Sequence, residues 1–135
     1  IEGDIGRDPK DRKRMAVVKS NGKHAATNYQ VLAQAGLAAS LIACKLETGR
    51  THQIRVHLAH IGHPLIGDPV YLRRRPAAAK SLPPEVRDMA LDFPRQALHA
   101  ETLGFAHPIT GASLRFSSPP PNDFKALQDA LLACA

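Results

Sequence analysis

The chain has 135 residues, 44% of them hydrophobic, with no visible repeat, which is the size and composition of one globular domain or part of one. A formal charge of +6 and a pI near 9.8 favour a polyanionic partner: RNA, DNA or a membrane surface. No run of about 18 apolar residues is present, so a membrane partner is not expected. Two cysteines, Cys44 and Cys134, make no disulfide framework and point to a reducing, cytoplasmic setting.

The chain opens at Ile1, not methionine, and runs IEGDIGRDPKDRKR before any long apolar element, so it reads as a fragment of a longer protein. Between residues 7 and 23 seven basic residues face two acidic ones, and Arg73, Arg74 and Arg75 form a second knot. Two separated basic tracts suit a folded polymer better than a small metabolite. RMAVVK, residues 14–19, reads as a short strand followed by an SNGK turn. Residues 25–34 and 38–47 alternate as two strands joined at Gly36, a hairpin that leads directly into the segment after Thr48.

In that segment Gly49 permits a bend and Thr51 is a candidate cap for a helix of about three turns. Ile54, Leu58 and Ile61 form its expected buried stripe, and Gly62 ends it. Arg50 and Arg55 fall outside the stripe. Residues 72–92, with Pro76, Pro83 and Pro84, read as a surface excursion holding a short helix from Pro84. Two further strands, near residues 97–106 and 112–118, flank an HPITG turn, and Leu114 and Phe116 lie opposite Arg115. Phe124, Leu127 and Leu131 mark a final helix, with Asn122 or Asp123 as cap. The pattern is α+β: antiparallel hairpins with flanking helices.

His57, His60 and His63 recur every third residue, but without paired cysteines, an HExxH pattern or a carboxylate other than Asp68 they make a weak zinc set, and no metal is expected. Among the carboxylates Glu47, Asp68 and Glu101, none has a partner at a telling spacing. Asp68, between Gly67 and Pro69, suits satisfaction of its own turn backbone, and Glu47 could pair with a neighbouring arginine. No serine occupies a nucleophile elbow, and no phosphate loop is present. Arg50 and Arg55 remain, either as solvated charges or as rigid forks aimed at a carboxylate or phosphate. His52 and Gln53, at the strand-to-helix junction, sit where backbone N–H groups could meet a phosphate. The residues alone give a positively charged half-site with no nucleophile.

LETGRTHQIRVHLAHIGHPLIGDPVY, residues 46–71, resembles the signature of the RluA/RluD family of RNA pseudouridine synthases. The resemblance extends through IGRDPKDRKRMAV and GKHAATNYQV upstream and FPRQALHAETLGFAHPITG downstream, and these flanks are most similar to the RluD branch, which modifies large-subunit ribosomal RNA. It implies the C-terminal half of a catalytic domain with a mixed, mostly antiparallel central sheet, acting without a cofactor on 23S ribosomal RNA or the assembling large subunit. The family's essential aspartate lies in an HRLDxxTSG motif, which does not occur here. By the resemblance it belongs to an N-terminal half of the same protein, with an S4-like domain before it, in a molecule that is a monomer when full length.

Arg55 matches the family arginine that pairs with that aspartate. Arg50, His52 and Gln53 match the motif around it and are expected at the RNA, as are the tracts Arg12, Lys13, Arg14 and Arg73, Arg74, Arg75. Leu72 stands where the family often has glycine. A transfer-RNA-modifying member of the same family and a non-catalytic basic RNA-binding module are the alternatives.

Overall fold

A computed structural model describes residues 1–134, apart from the side chains of Gly104 and Phe105. The architecture is α+β. Strands β1 (Ile5–Arg7) and β2 (Met15–Val17) pair antiparallel, with Ile5 opposite Val17. On its other side the opening segment pairs with the run before the next strand, through bridges between Glu2 and Ala26 and between Ile5 and Lys23. β1 was not expected from the sequence, because its three residues are too few to show alternation.

β3 (Thr27–Ala35) and β4 (Ala39–Leu46) form the expected hairpin, with a bulge between Val31 and Ala33. Gly36, at φ 54°, makes the turn, a conformation glycine takes without steric cost. Both faces of the hairpin carry exposed apolar groups, including Tyr29, Val31, Leu32 and Leu46. A third pair joins β5 (Thr102–Ala106) to β6 (Ser113–Ser117). Among the described residues the strands form three two-stranded antiparallel sheets.

The helices are α1 (Gln53–His60), α2 (Pro84–Leu91) and α3 (Asn122–Leu132). α3 buries Leu127 and Leu131 as its spacing predicts, against Leu82, Ala90, Phe93 and Ala35 at the end of β3. The expected surface excursion is therefore only partly at the surface. A 3-10 turn (Ala77–Ser81) and Leu82 deliver Ala79 and Leu82 inward, and Ala90 follows from α2. The expected side-chain cap on α3 is not made at its N-cap, which is Pro121. Asp123 instead accepts its hydrogen bond from Phe124 N–H and pairs with Arg95.

α1 departs most from expectation. It has eight residues, about two turns. Its N-cap is His52, at φ 55° and without a side-chain capping bond, so Thr51 does not cap it and the left-handed residue of the junction is not Gly49. Histidine is among the residues more tolerant of that region. The C-terminus closes as expected at Gly62 (φ 89°), where Gly62 N–H donates to Ala59 and His63 N–H to Leu58, a Schellman closure.

The buried set of α1 is Gln53, Arg55, Val56, His57 and Leu58, while Ile61 is exposed and Ile54 half-buried. The expected stripe fails because the helix is enclosed on more than one side. Val56 joins Ile5, Ala25 and Tyr71 in a second core cluster, with Met15, Val17, Ala59 and Val70 around it. Burying Val56 and Leu58 contributes about 1.5–3 kcal/mol each. Among the described residues, no side-chain N or O that is itself fully buried lacks a hydrogen-bond partner.

Candidate functional site

Two polar constellations radiate from α1. The first is structural. Ala26 N–H donates to Thr48 Oγ1 (3.0 Å), and the Thr48 hydroxyl donates to Gln53 Oε1 (2.7 Å), which also accepts Arg50 N–H (2.9 Å). Gln53 Nε2 donates to Ala26 O and Thr27 Oγ1, both at 2.9 Å. Thr27 Oγ1 meets His57 Nδ1 at 2.9 Å, and His57 Nε2 meets the Gly3 carbonyl at 2.9 Å. A carbonyl only accepts, so Nε2 carries a proton, and in the neutral ring Nδ1 takes the threonine proton.

This chain of bonds ties the opening segment, the hairpin base and α1 together. Gln53, expected at the RNA, is 3% exposed with its side-chain amide hydrogen-bonded within the protein, and His57 is fully buried with both ring nitrogens hydrogen-bonded. Among the described residues no cluster of three or more metal-ligating side chains forms.

The second constellation surrounds Arg55. Its Nε donates to Asp68 Oδ2 and its Nη2 to Asp68 Oδ1, both at 2.9 Å, a bidentate pair with side chains 10% and 0% exposed. Asp68 Oδ1 also accepts the backbone N–H of Val70 (2.9 Å) and Tyr71 (3.1 Å), the turn role its Gly-Asp-Pro setting suggested. Burial alone would raise the Asp68 pKa. The Arg55 fork and the two backbone donors outweigh it, and the carboxyl lies below its ordinary value. The Arg55 pKa is correspondingly raised, chiefly by the hydrogen bonds to Asp68.

Gly67 aims this corner. At φ 74° it lies so close to the 93–95 segment that a Cβ would fall on the Arg95 carbonyl oxygen and 2.9 Å from that of Phe93. Ala97 N–H donates to the Ile66 carbonyl beside it.

Tyr71 completes the arrangement and was not singled out from the sequence. It is 7% exposed, its ring lies 5.0 Å from the Arg55 guanidinium carbon, and its hydroxyl accepts Met15 N–H (3.2 Å) and meets His52 Nδ1 (2.8 Å). Its signal was weak, because a tyrosine three residues after an aspartate has no pattern of its own. The His52 pKa is lowered by burial and by the Arg55 charge, with a partial opposing effect from Asp68.

The remaining basic residues divide. Arg50 Nε donates to the His24 carbonyl (2.8 Å), and Arg14 pairs with Asp8 (2.8 Å) and lies 5.9 Å from the Tyr71 ring. Arg12, Lys13, Arg73, Arg74 and Arg75 are exposed, and their side chains make no ion pair among the described residues. Met15 N–H reaches the Tyr71 hydroxyl and Arg14 lies over its ring, so the end of the first basic tract stands beside the residue two positions before the second. Glu47 is exposed and makes no ion pair among the described residues.

The model of a family described as RNA pseudouridylate synthase matches residues 1–60, which end with α1. "Ribosomal large subunit pseudouridine synthase D" of Nitrosomonas europaea is 51% identical over 131 residues, 97% of this chain and 36% of that protein. The protein of that name from Pseudomonas aeruginosa is 49% identical over 127 residues, 92% of this chain and 38% of that protein. The chain belongs to the RluA/RluD family of RNA pseudouridine synthases. Within it the chain is RluD-like, and it spans about a third of the length of the curated relatives it matches. A solved structure, human RNA Pseudouridylate Synthase Domain Containing 1, superposes with a TM-score of 0.64 at 30% identity, over 90% of this chain and 47% of that one. The three small antiparallel sheets and helices thus form part of the pseudouridine synthase fold.

Proposed function

We propose that this chain is the C-terminal part of the catalytic domain of an enzyme that isomerises uridine to pseudouridine in 23S ribosomal RNA. The observation that carries the reading is the Arg55 guanidinium, buried in the family motif and fixed on one edge by Asp68. A guanidinium has a second edge. Nη1 makes no hydrogen bond among the described residues, which leaves that edge for the family's essential aspartate, contributed by the N-terminal half of the same protein. Asp68 holds Arg55 in place, and Arg55 neutralises and aims the reacting carboxylate.

The target uridine leaves the RNA stack before its C1′ can be reached. The bond from C1′ to N1 breaks, the uracil turns, C1′ bonds to C5, the C5 proton is released, and N1 takes up a proton. No cofactor is required. Arg12, Lys13, Arg73, Arg74 and Arg75 lie along the phosphates, with Arg50 and His52 nearer the target. Arg14 is held inside this rim by Asp8. The protein works as a cytoplasmic monomer; no helix among the described residues is long and apolar enough to cross a membrane.

The test is tritium release from 5-tritiated uridine by the full-length protein, with large-subunit ribosomal RNA and transfer RNA offered in parallel. Release from the ribosomal RNA is expected. Release from transfer RNA alone would move the protein to the other branch, and release from neither would end the proposal.

A further inference from the structure

The hydroxyl of Tyr71 is held between two partners that fix its proton. Its oxygen already accepts Met15 N–H at 3.2 Å, and the residue is 7% exposed, so the phenolic proton needs an acceptor within the protein. His52 Nδ1, at 2.8 Å, is the acceptor in reach. The reverse assignment, with Nδ1 carrying the proton, would put two donors on one oxygen and leave the phenolic hydrogen without a partner. The rings meet edge-on, at 81° and 5.6 Å between centroids.

Two further observations bear on His52. It is the left-handed residue that opens α1, three positions before Arg55, so its backbone and the arginine are set by the same turn of chain. Partial desolvation of the imidazole, although the residue as a whole is exposed, and the Arg55 charge also disfavour a second proton on the ring. Nε2 makes no hydrogen bond among the described residues, and His52 is exposed.

We infer that Tyr71 is a positioning residue that locks His52 as the neutral Nε2–H tautomer, presenting a hydrogen-bond donor of fixed direction to an acceptor oxygen of RNA beside Arg55. The RNA contact rests on the functional reading above; the tautomer does not. A neutral donor adds direction where the surrounding arginines supply charge, because one N–H has one axis while a phosphate field has none.

The experiment is nitrogen NMR of the full-length protein labelled on histidine. The free wild-type protein should show His52 with Nδ1 bare and Nε2 protonated. A protonated Nδ1, or a mixture of the two tautomers, would overturn the lock. Tyr71→Phe keeps the ring against Arg55 and removes only the hydroxyl, so it should release His52 into a mixture; an unchanged tautomer would assign the lock elsewhere. If that variant does not fold, the wild-type spectrum still decides.

An oligouridylate and an abasic ribose-phosphate oligomer of equal length are then added in turn. The Nε2–H resonance should move, with both oligomers if the acceptor is a backbone oxygen and with the first alone if it is a uracil carbonyl. His52→Asn, which tolerates the left-handed backbone but is too short to present the same donor, should weaken binding by roughly 2- to 10-fold, the range of one neutral hydrogen bond. Bound RNA with an unmoved resonance would overturn the contact alone, whereas failure to bind any RNA would remove the functional reading together with the contact.

Discussion

Arg55 and Asp68 meet through two parallel hydrogen bonds of 2.9 Å, one residue from a helix and the other from the corner that follows it. The pair gives the guanidinium a fixed plane before any substrate or second carboxylate arrives. Arg55→Lys in the full-length enzyme is therefore expected to reduce the single-turnover rate far more than RNA affinity. Lysine keeps the charge but cannot face two carboxylates with a planar fork, and a small misplacement at a reacting centre can cost about 100-fold in rate. Equal rates with weakened affinity would make Arg55 an ordinary phosphate contact.

Removing the arginine has a different signature. Arg55→Ala leaves Asp68 buried without its main partner, a loss of about 3–5 kcal/mol. Chemical denaturation of the variant beside wild type checks this; a shift below about 1 kcal/mol would place the pair among exposed ones.

The same pair sets an acid limit. The Asp68 pKa is depressed in the folded protein, so its contribution to stability is present above the unfolded carboxylate value, about 3.9, and is lost as pH falls through the lower folded value. Melting temperature should fall on that acid limb in wild type, and Asp68→Asn should flatten the limb while lowering the neutral-pH plateau. An unaltered acid limb in the variant would assign the loss to other carboxylates.

Thr27→Val removes a hydroxyl that accepts from Gln53 and donates to His57. His57 Nδ1 then lacks its partner and Gln53 Nε2 keeps only the Ala26 carbonyl, so a cost of about 1–3 kcal/mol is expected. Unfolding in urea measures it, and hydrogen exchange at residues 1–5 should accelerate, because His57 also anchors Gly3.

Neutralising Arg73, Arg74 and Arg75 together should weaken matched and unmatched RNAs alike and lower the salt slope by roughly 0.7 per lost contact on single-stranded RNA. Neutralising Arg12 and Lys13 should act in the same way. An unchanged slope would place these side chains off the backbone path. Arg14 stands apart, since its pairing with Asp8 makes its loss structural as well.

The hairpin, α2 and α3 were legible in the sequence because each shows its own period or its own boundary residues. The interior of α1 was not. Periodicity assigns burial by apolarity, whereas here Gln53, Arg55 and His57 are buried because Thr27, Thr48, Gly3 and Asp68 supply their hydrogen bonds from distant parts of the chain. Arg55 could be singled out by its place in a recognisable motif. Asp68 could be read as a turn former, but not as the partner of Arg55, since that needs the return of the chain past Gly62. Tyr71 gains its role only when Met15 and His52 converge on its hydroxyl.

Gly67 has no side chain to contribute, yet it is wedged against the carbonyls of Phe93 and Arg95 and is followed directly by the carboxylate that holds Arg55. Even alanine there would push the chain outward and carry Asp68 with it. In a saturation mutagenesis screen scored for modification, this codon should therefore tolerate as little as that of Arg55. A reader of such a map would find a residue without functional groups scoring like the arginine proposed to aim the reacting carboxylate, and the cause would be steric registration of the neighbouring carboxylate.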